Sequence, residues 1–139
     1  MAKEEKDMIL FVCIENSSRS QMAEGFAKKL GLRAESAGTT PSTQVNSYVV
    51  EAMREKGIDI SQSKPKGLTA DMINHAGLIV LTDSTILKSL RRSLRWKMRK
   101  KHVEWSLPDP QGQPIEAIRL IRDQIELMVK ALANKSPPA

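Results

Sequence analysis

The chain has 139 residues, a formal net charge of +6 and a single cysteine, Cys13. That length fits one domain around a single core, and no stretch is apolar enough for long enough to span a membrane. One cysteine excludes an internal disulfide and a cysteine-rich zinc site. The positive balance is compatible with an anionic substrate, and equally with solubility or non-specific contact with nucleic acid.

In chain order, residues 1–7 form a charged leader without the apolar region of a signal peptide. Met8–Cys13 reads as a buried strand. A helix is expected from about Ser18 to Leu30, stopped by Gly31. Leu32–Ser36 reads as a second short strand, and Ala37–Thr43 as a loop of small residues. Asn46 is a good N-cap for a second helix that ends before Gly57. A connecting loop over Asp59–Leu68 leads to a short helix over Thr69–His75. Gly77–Leu81 is continuously apolar, the mark of a strand buried on both faces. Ser84–Arg99 reads as one very basic helix and His102–Trp105 as a fourth strand. Pro114 opens a last helix whose Ile115, Ile118, Ile121, Ile125, Met128, Val129 and Leu132 recur on one face. Alternating strands and helices predict an α/β three-layer sandwich with a four-stranded parallel sheet. The expected domain covers 8–133, with a tail over 134–139.

Cys13 ends the first strand, and five residues separate it from Arg19 at a helix start. Five residues are enough to curl a loop around one small oxyanion, with backbone N–H groups pointing inward as a nest. A thiolate, the nucleophilic form of cysteine, suits the same field. Arg19 is shaped to grip two phosphate oxygens in one plane. The hydroxyl of Ser20 or Ser18 can donate to the sulfur. In a parallel sheet, ligands bind at the carboxyl ends of the strands, where Cys13 sits. Ester hydrolysis also needs a carboxyl group to protonate the leaving oxygen and then activate water. Asp109, in the stiff turn Leu107-Pro108-Asp109-Pro110 after the fourth strand, is the candidate, although Asp-Pro alone is an ordinary turn opener.

The run Cys13-Ile14-Glu15-Asn16-Ser17-Ser18-Arg19-Ser20 resembles the signature loop of the low-molecular-weight protein tyrosine phosphatases and of the arsenate reductases built on the same fold. The stretch from Asn16 to Phe26 is closest to the reductase branch. The resemblance continues through Ser36-Ala37-Gly38-Thr39, Gly57-Ile58-Asp59-Ile60-Ser61, Trp105-Ser106-Leu107-Pro108-Asp109-Pro110 and Ile118–Ile125, in the family's order. It implies Cys13 as nucleophile, Arg19 as oxyanion holder and Asp109 as general acid. Ile14, Glu15, Asn16, Ser17, Ser18 and Ser20 would form the phosphate-binding loop, with Asn16 shaping it from within. Ser36 is expected either to brace the loop or simply to end its strand. The Glu15 side chain is expected in solvent. Some arsenate reductases of this fold hold a potassium ion near positions matching Asn16, Glu24 and Ser36. Here Lys64 and Lys66 bring ammonium groups to the neighbouring segment, so no metal or cofactor is expected; an exposed loop lysine is the default for both, and Lys64 is the candidate supporting charge.

The chain departs from both branches. It lacks the two further cysteines of thioredoxin-linked arsenate reductases, so arsenate reduction would require an external small thiol. It also lacks the aromatic walls of the tyrosine phosphatases: Gln111-Gly112 follow the acid turn, and Tyr48 is the single tyrosine. The first expectation is a cysteine-dependent phosphatase acting on a phosphorylated small molecule or phosphoprotein. The second is a single-cysteine arsenate reductase using arsenate and a small thiol. The third is a non-catalytic anion-binding regulatory module. A reduced thiol suits the cytoplasm. The basic run Arg91–Lys101 is expected to be a solvated helix face, with the gathering of anionic partners or RNA as the lesser alternative; no membrane partner is expected, and nucleic acid is not the favoured one. His75 and His102 are isolated and read as structural.

Overall fold

A computed structural model describes residues 7–99 and 101–135. Four strands form one parallel sheet in the order β2-β1-β3-β4: β1 (Ile9–Cys13), β2 (Ala34–Gly38), β3 (Leu78–Leu81) and β4 (His102–Glu104). The helices are α1 (Arg19–Lys29), α2 (Ser47–Arg54), α3 (Ala70–His75), α4 (Ile86–Ser89), α5 (Arg92–Met98) and α6 (Ile115–Lys135). Among the described residues no helix is long and apolar enough to cross a membrane.

The period-two alternation of β1 divides the core. Ile9 and Phe11 face one way, into a cluster with Met22 and Phe26 of α1, Val49 and Met53 of α2, and Ile118, Ile121, Ile125 and Val129 of α6. Leu10 and Val12 face the other way, toward Ile73 of α3, Ile86 of α4 and Met98 of α5. Helices thus cover both faces, and β1 is buried along its whole length. Burial of this kind contributes about 1.5–3 kcal/mol per large aliphatic or aromatic side chain. Phe11 and Trp105 pack with ring centroids 5.9 Å apart.

β1 pairs with β2 on one side and β3 on the other. The chain leaves β1 toward one edge and later returns to build toward the opposite edge. This reversal opens a crevice at the carboxyl end of β1, where Cys13 lies. Arg122 clamps α6 to α2: its buried guanidinium donates to Ala52 O at 2.9 Å and to Glu55 at 2.6 Å.

The expected single helix over Ser84–Arg99 is two short helices. Leu90 between them is extended, at φ −84° and ψ 147°, which lets Leu87, Leu90, Leu94 and Met98 all reach the second core. β2 lies two residues later than expected because Ala34 pairs with Ile9, and β4 stops at Glu104. Asn134 and Lys135, assigned from sequence to the tail, belong to α6. The rest of the expected tail, 136–139, and leader residues 1–6 lie outside the described residues, as does Lys100 of the basic run.

Candidate active site

The segment from Cys13 to Arg19 turns its carbonyls outward, and each has a partner. Cys13 O accepts from Thr39 N–H, Ile14 O from Thr40, Glu15 O from Ser42 and Ser17 O from Asn46, at 2.7–3.1 Å. Asn16 O accepts from the Gln21 side chain at 3.1 Å. In a planar trans peptide, the N–H lies opposite the preceding C=O. Five outward carbonyls therefore turn the N–H groups of Ile14, Glu15, Asn16, Ser17 and Ser18 inward. One of these contacts is direct, since Asn16 N–H donates to Cys13 Sγ at 3.1 Å. The β2–α2 loop imposes the concavity from behind.

Asn16 is the hinge of this arrangement. It is fully buried, with φ at +53°, a left-handed conformation that asparagine tolerates better than most residues. Its Oδ1 accepts from Lys66 N–H at 2.8 Å, which fixes the orientation of the amide because a backbone N–H can only donate. Nδ2 then donates to Ser20 Oγ at 2.7 Å, and that hydroxyl lies 2.8 Å from Cys13 Sγ with its own proton free to point at the sulfur. Asn16 and Ser20 thus stand behind the loop rather than in its mouth.

Arg19 is buried at the start of α1. Its Nη1 donates to Asp83 Oδ2 at 3.0 Å and to Leu107 O at 3.1 Å. The first contact fixes the guanidinium plane, and the second ties it to the turn that carries Asp109. Burial works against the Asp83 carboxylate, but hydrogen bonds from Thr85 and Arg19 outweigh it and lower its pKa.

A cavity of about 350 Å³ opens over the loop. Cys13, Ile14, Glu15, Ser17, Ser18 and Arg19 line its base. Ser42, Thr43, Gln44 and Asn46 form one wall, and Asp109, Pro110 and Gln111 the other. Cys13, Arg19 and Asp109 are thus brought to one place. None of the lining residues is aromatic, and the exposed Tyr48 is not among them. Among the described residues no cluster of three or more His, Cys, Asp or Glu side chains could hold a metal.

Ser36 and Glu15 depart from expectation, and Lys64 takes its default place as an exposed loop lysine. Ser36 neither hydrogen-bonds to the loop nor ends its strand: it lies in the middle of β2 and donates to Glu24 of α1. Lys64 is exposed and does not line the cavity. The segment acts on the loop through backbone instead: Lys66 N–H holds Asn16, and Lys66 O accepts from Gly38 N–H at 2.8 Å. Glu15 is half-buried in the cavity base rather than free in solvent.

Sequence reasoning missed Asp83, Gln21 and Gly38. Asp83 follows a buried strand, and a carboxylate so placed could have been paired with Arg19 across the crevice. Gly38 permits close approach: a Cβ there would lie 2.6 Å from Ile14 O and 2.8 Å from Asn16 N.

The family model "Low molecular weight phosphotyrosine protein phosphatase" matches residues 8–136. A glutaredoxin arsenate reductase from Synechocystis sp. is 36% identical over 135 residues, covering 91% of this chain and 96% of the relative. The YwlE arginine phosphatase from Geobacillus stearothermophilus superposes with a TM-score of 0.84 at 25% identity, covering 92% of this chain and 91% of the other. An arsenate reductase in its phosphate-binding state superposes with a TM-score of 0.81 at 32% identity, covering 93% and 98%. With the family match spanning nearly the whole sequence, the chain belongs to the low molecular weight phosphotyrosine protein phosphatase family.

Proposed function

We propose that the chain is a cysteine-dependent phosphatase that hydrolyses a phosphate monoester through a cysteinyl-phosphate intermediate. The observation that supports this reading is the shared cavity, which Cys13, Arg19 and Asp109 line together with the loop whose amides turn inward; Asp109 Oδ1 accepts from Gln111 N–H at 3.0 Å within its turn. The Cys13 thiolate attacks phosphorus while Arg19 and the loop N–H groups hold the equatorial oxygens. The bond to the leaving oxygen breaks in line, and that oxygen takes a proton from Asp109. The Asp109 carboxylate then takes a proton from water as the water attacks phosphorus. The S–P bond breaks, phosphate leaves and the thiolate is restored.

A second reading is favoured by the arsenate reductases among the relatives. Cys13 would displace water from arsenate to form an S–As(V) adduct. An external thiolate would attack Cys13 Sγ, sending the S–As electron pair to arsenic. Arsenite would leave, and a mixed disulfide would remain for a second thiol to reduce. Cys13 is the only cysteine, so both thiols would come from outside, and a glutaredoxin or small thiol is the matching partner.

Turnover of p-nitrophenyl phosphate at mildly acidic pH, with Cys13→Ser as control, tests the first reading. Arsenite release from arsenate with glutathione and glutaredoxin tests the second. Phosphate turnover abolished by Cys13→Ser supports the phosphatase. Arsenite release without phosphoester turnover transfers the assignment to the reductase. Phosphate binding with neither activity leaves an anion-binding module.

A further inference from the structure

Between Asp83 and Glu104 the chain carries eight Lys and Arg residues and no Asp or Glu, against a net charge of +6 for the whole chain. Acidic residues therefore outnumber basic ones elsewhere. Leu87, Leu90, Leu94 and Met98 anchor α4 and α5 in the second core. That anchoring turns Lys88, Arg91, Arg92, Arg95 and Lys97 outward, all exposed. None of these five forms an ion pair among the described residues.

An ordinary solvated helix face mixes signs at i,i+4 spacing, as Glu24–Lys28 on α1 and Glu126–Lys130 on α6 do. This face has no such mixing, and its cations repel one another on a fixed scaffold. At its centre Trp96 is 64% exposed, with the Arg99 guanidinium 3.6 Å from the ring centroid. Arg99 covers one face of the indole and the remainder stays open. An acidic peptide would satisfy the cations but would leave the aromatic unused. Unpaired cations beside an open aromatic platform match a strand of phosphates with unstacked bases.

We propose that the α4–α5 face binds single-stranded nucleic acid, with Lys88, Arg91, Arg92 and Arg95 on phosphates and a base stacked on the open face of Trp96. This function is separate from the chemistry at Cys13 and does not rest on it.

The test is fluorescence anisotropy of a labelled 15-nucleotide oligouridylate titrated with the full chain at 50 and 200 mM salt. About four phosphate contacts give a log–log salt slope near −2.8, which is about a 50-fold weakening between those salts. The double variant Arg92→Gln, Arg95→Gln should lower the slope by about 1.4. Trp96→Ala should weaken binding about tenfold with the slope unchanged, and Trp96→Phe should restore most of it. All these positions are exposed, and thermal melts check that each variant folds. Absence of binding at 50 mM salt overturns the proposal, and so does unchanged affinity in Trp96→Ala. Length-matched poly-glutamate that competes as well as unlabelled oligouridylate also overturns it, and would make this a face for acidic protein.

Discussion

Gly38→Ala tests whether the β2–α2 side shapes the loop. The new Cβ would sit 2.6 Å from Ile14 O, 2.8 Å from Asn16 N and 2.9 Å from Glu15 C, all backbone atoms that no rotamer change can remove. Restoring ordinary contact at 3.4 Å from Ile14 O requires a separation of about 0.8 Å. Gly38 cannot yield it cheaply, because its N–H donates to Lys66 O and its C=O accepts from Leu68 N–H. The loop must therefore move, and with it the amide that donates to Cys13 Sγ. Overpacking of this kind costs about 1–3 kcal/mol of stability. A displacement near 1 Å at the reacting atoms costs about 100-fold in rate. The assays are thermal unfolding, p-nitrophenyl phosphate turnover and inhibition by inorganic phosphate. A folded Gly38→Ala protein with wild-type turnover and wild-type phosphate inhibition would refute the argument that this close approach sets the loop.

Asp83→Ala leaves the buried Arg19 guanidinium with Leu107 O as its remaining acceptor. A loss of about 3 kcal/mol in stability is expected by denaturant titration, with weaker phosphate inhibition; unchanged values for both would remove Asp83 from the site. Glu15 and Asp109 both line the cavity, where Arg19 is the only cationic lining residue, so phosphoesters with anionic leaving groups should be disfavoured. Glu15→Gln should raise kcat/KM for 3-phosphoglycerate about fivefold relative to p-nitrophenyl phosphate, about 1 kcal/mol for one screened charge. An unaltered ratio would return Glu15 to a purely solvated role. Hydrogen bonds from Arg119, then Arg122, draw the Glu55 carboxyl down from 4.5 to about 2. Its folded pKa lies below its unfolded one, so its contribution is fully present above about pH 4.5 and is lost as pH falls toward 2. Melting temperatures between pH 5 and 2 should decline less steeply in Glu55→Gln than in the wild type, and parallel curves would contradict this linkage.

Local pattern and the family motifs together made the frame and three of the residues that line the cavity legible. The apolar run before Cys13, the five-residue spacing to Arg19 and the Leu107–Pro110 turn all depend on neighbours in the chain. So do the N-cap at Asn46 and the periodic face of α6, which the structure reproduces within a residue or two. The break at Leu90 was not legible, because the pattern over Ser84–Arg99 suits one helix and only the distance to the second core demands two. The supporting shell was hidden for the same reason. Asp83 reaches Arg19 across 64 positions, and Lys66 reaches Asn16 across 50. A lysine near a loop reads as an ammonium group, yet here the contribution is its backbone N–H, which every residue but proline carries and no sequence advertises.

By itself, the sequence determined that a thiol would end a buried parallel strand with an arginine one loop away, because strand, loop and helix are consecutive. Only the tertiary structure decided which way that loop's amides face. Their direction follows from partners for the outward carbonyls, and those partners come from Thr39, Thr40, Ser42, Asn46 and Gln21, brought there by the pairing of β1 with β2 and the packing of α1.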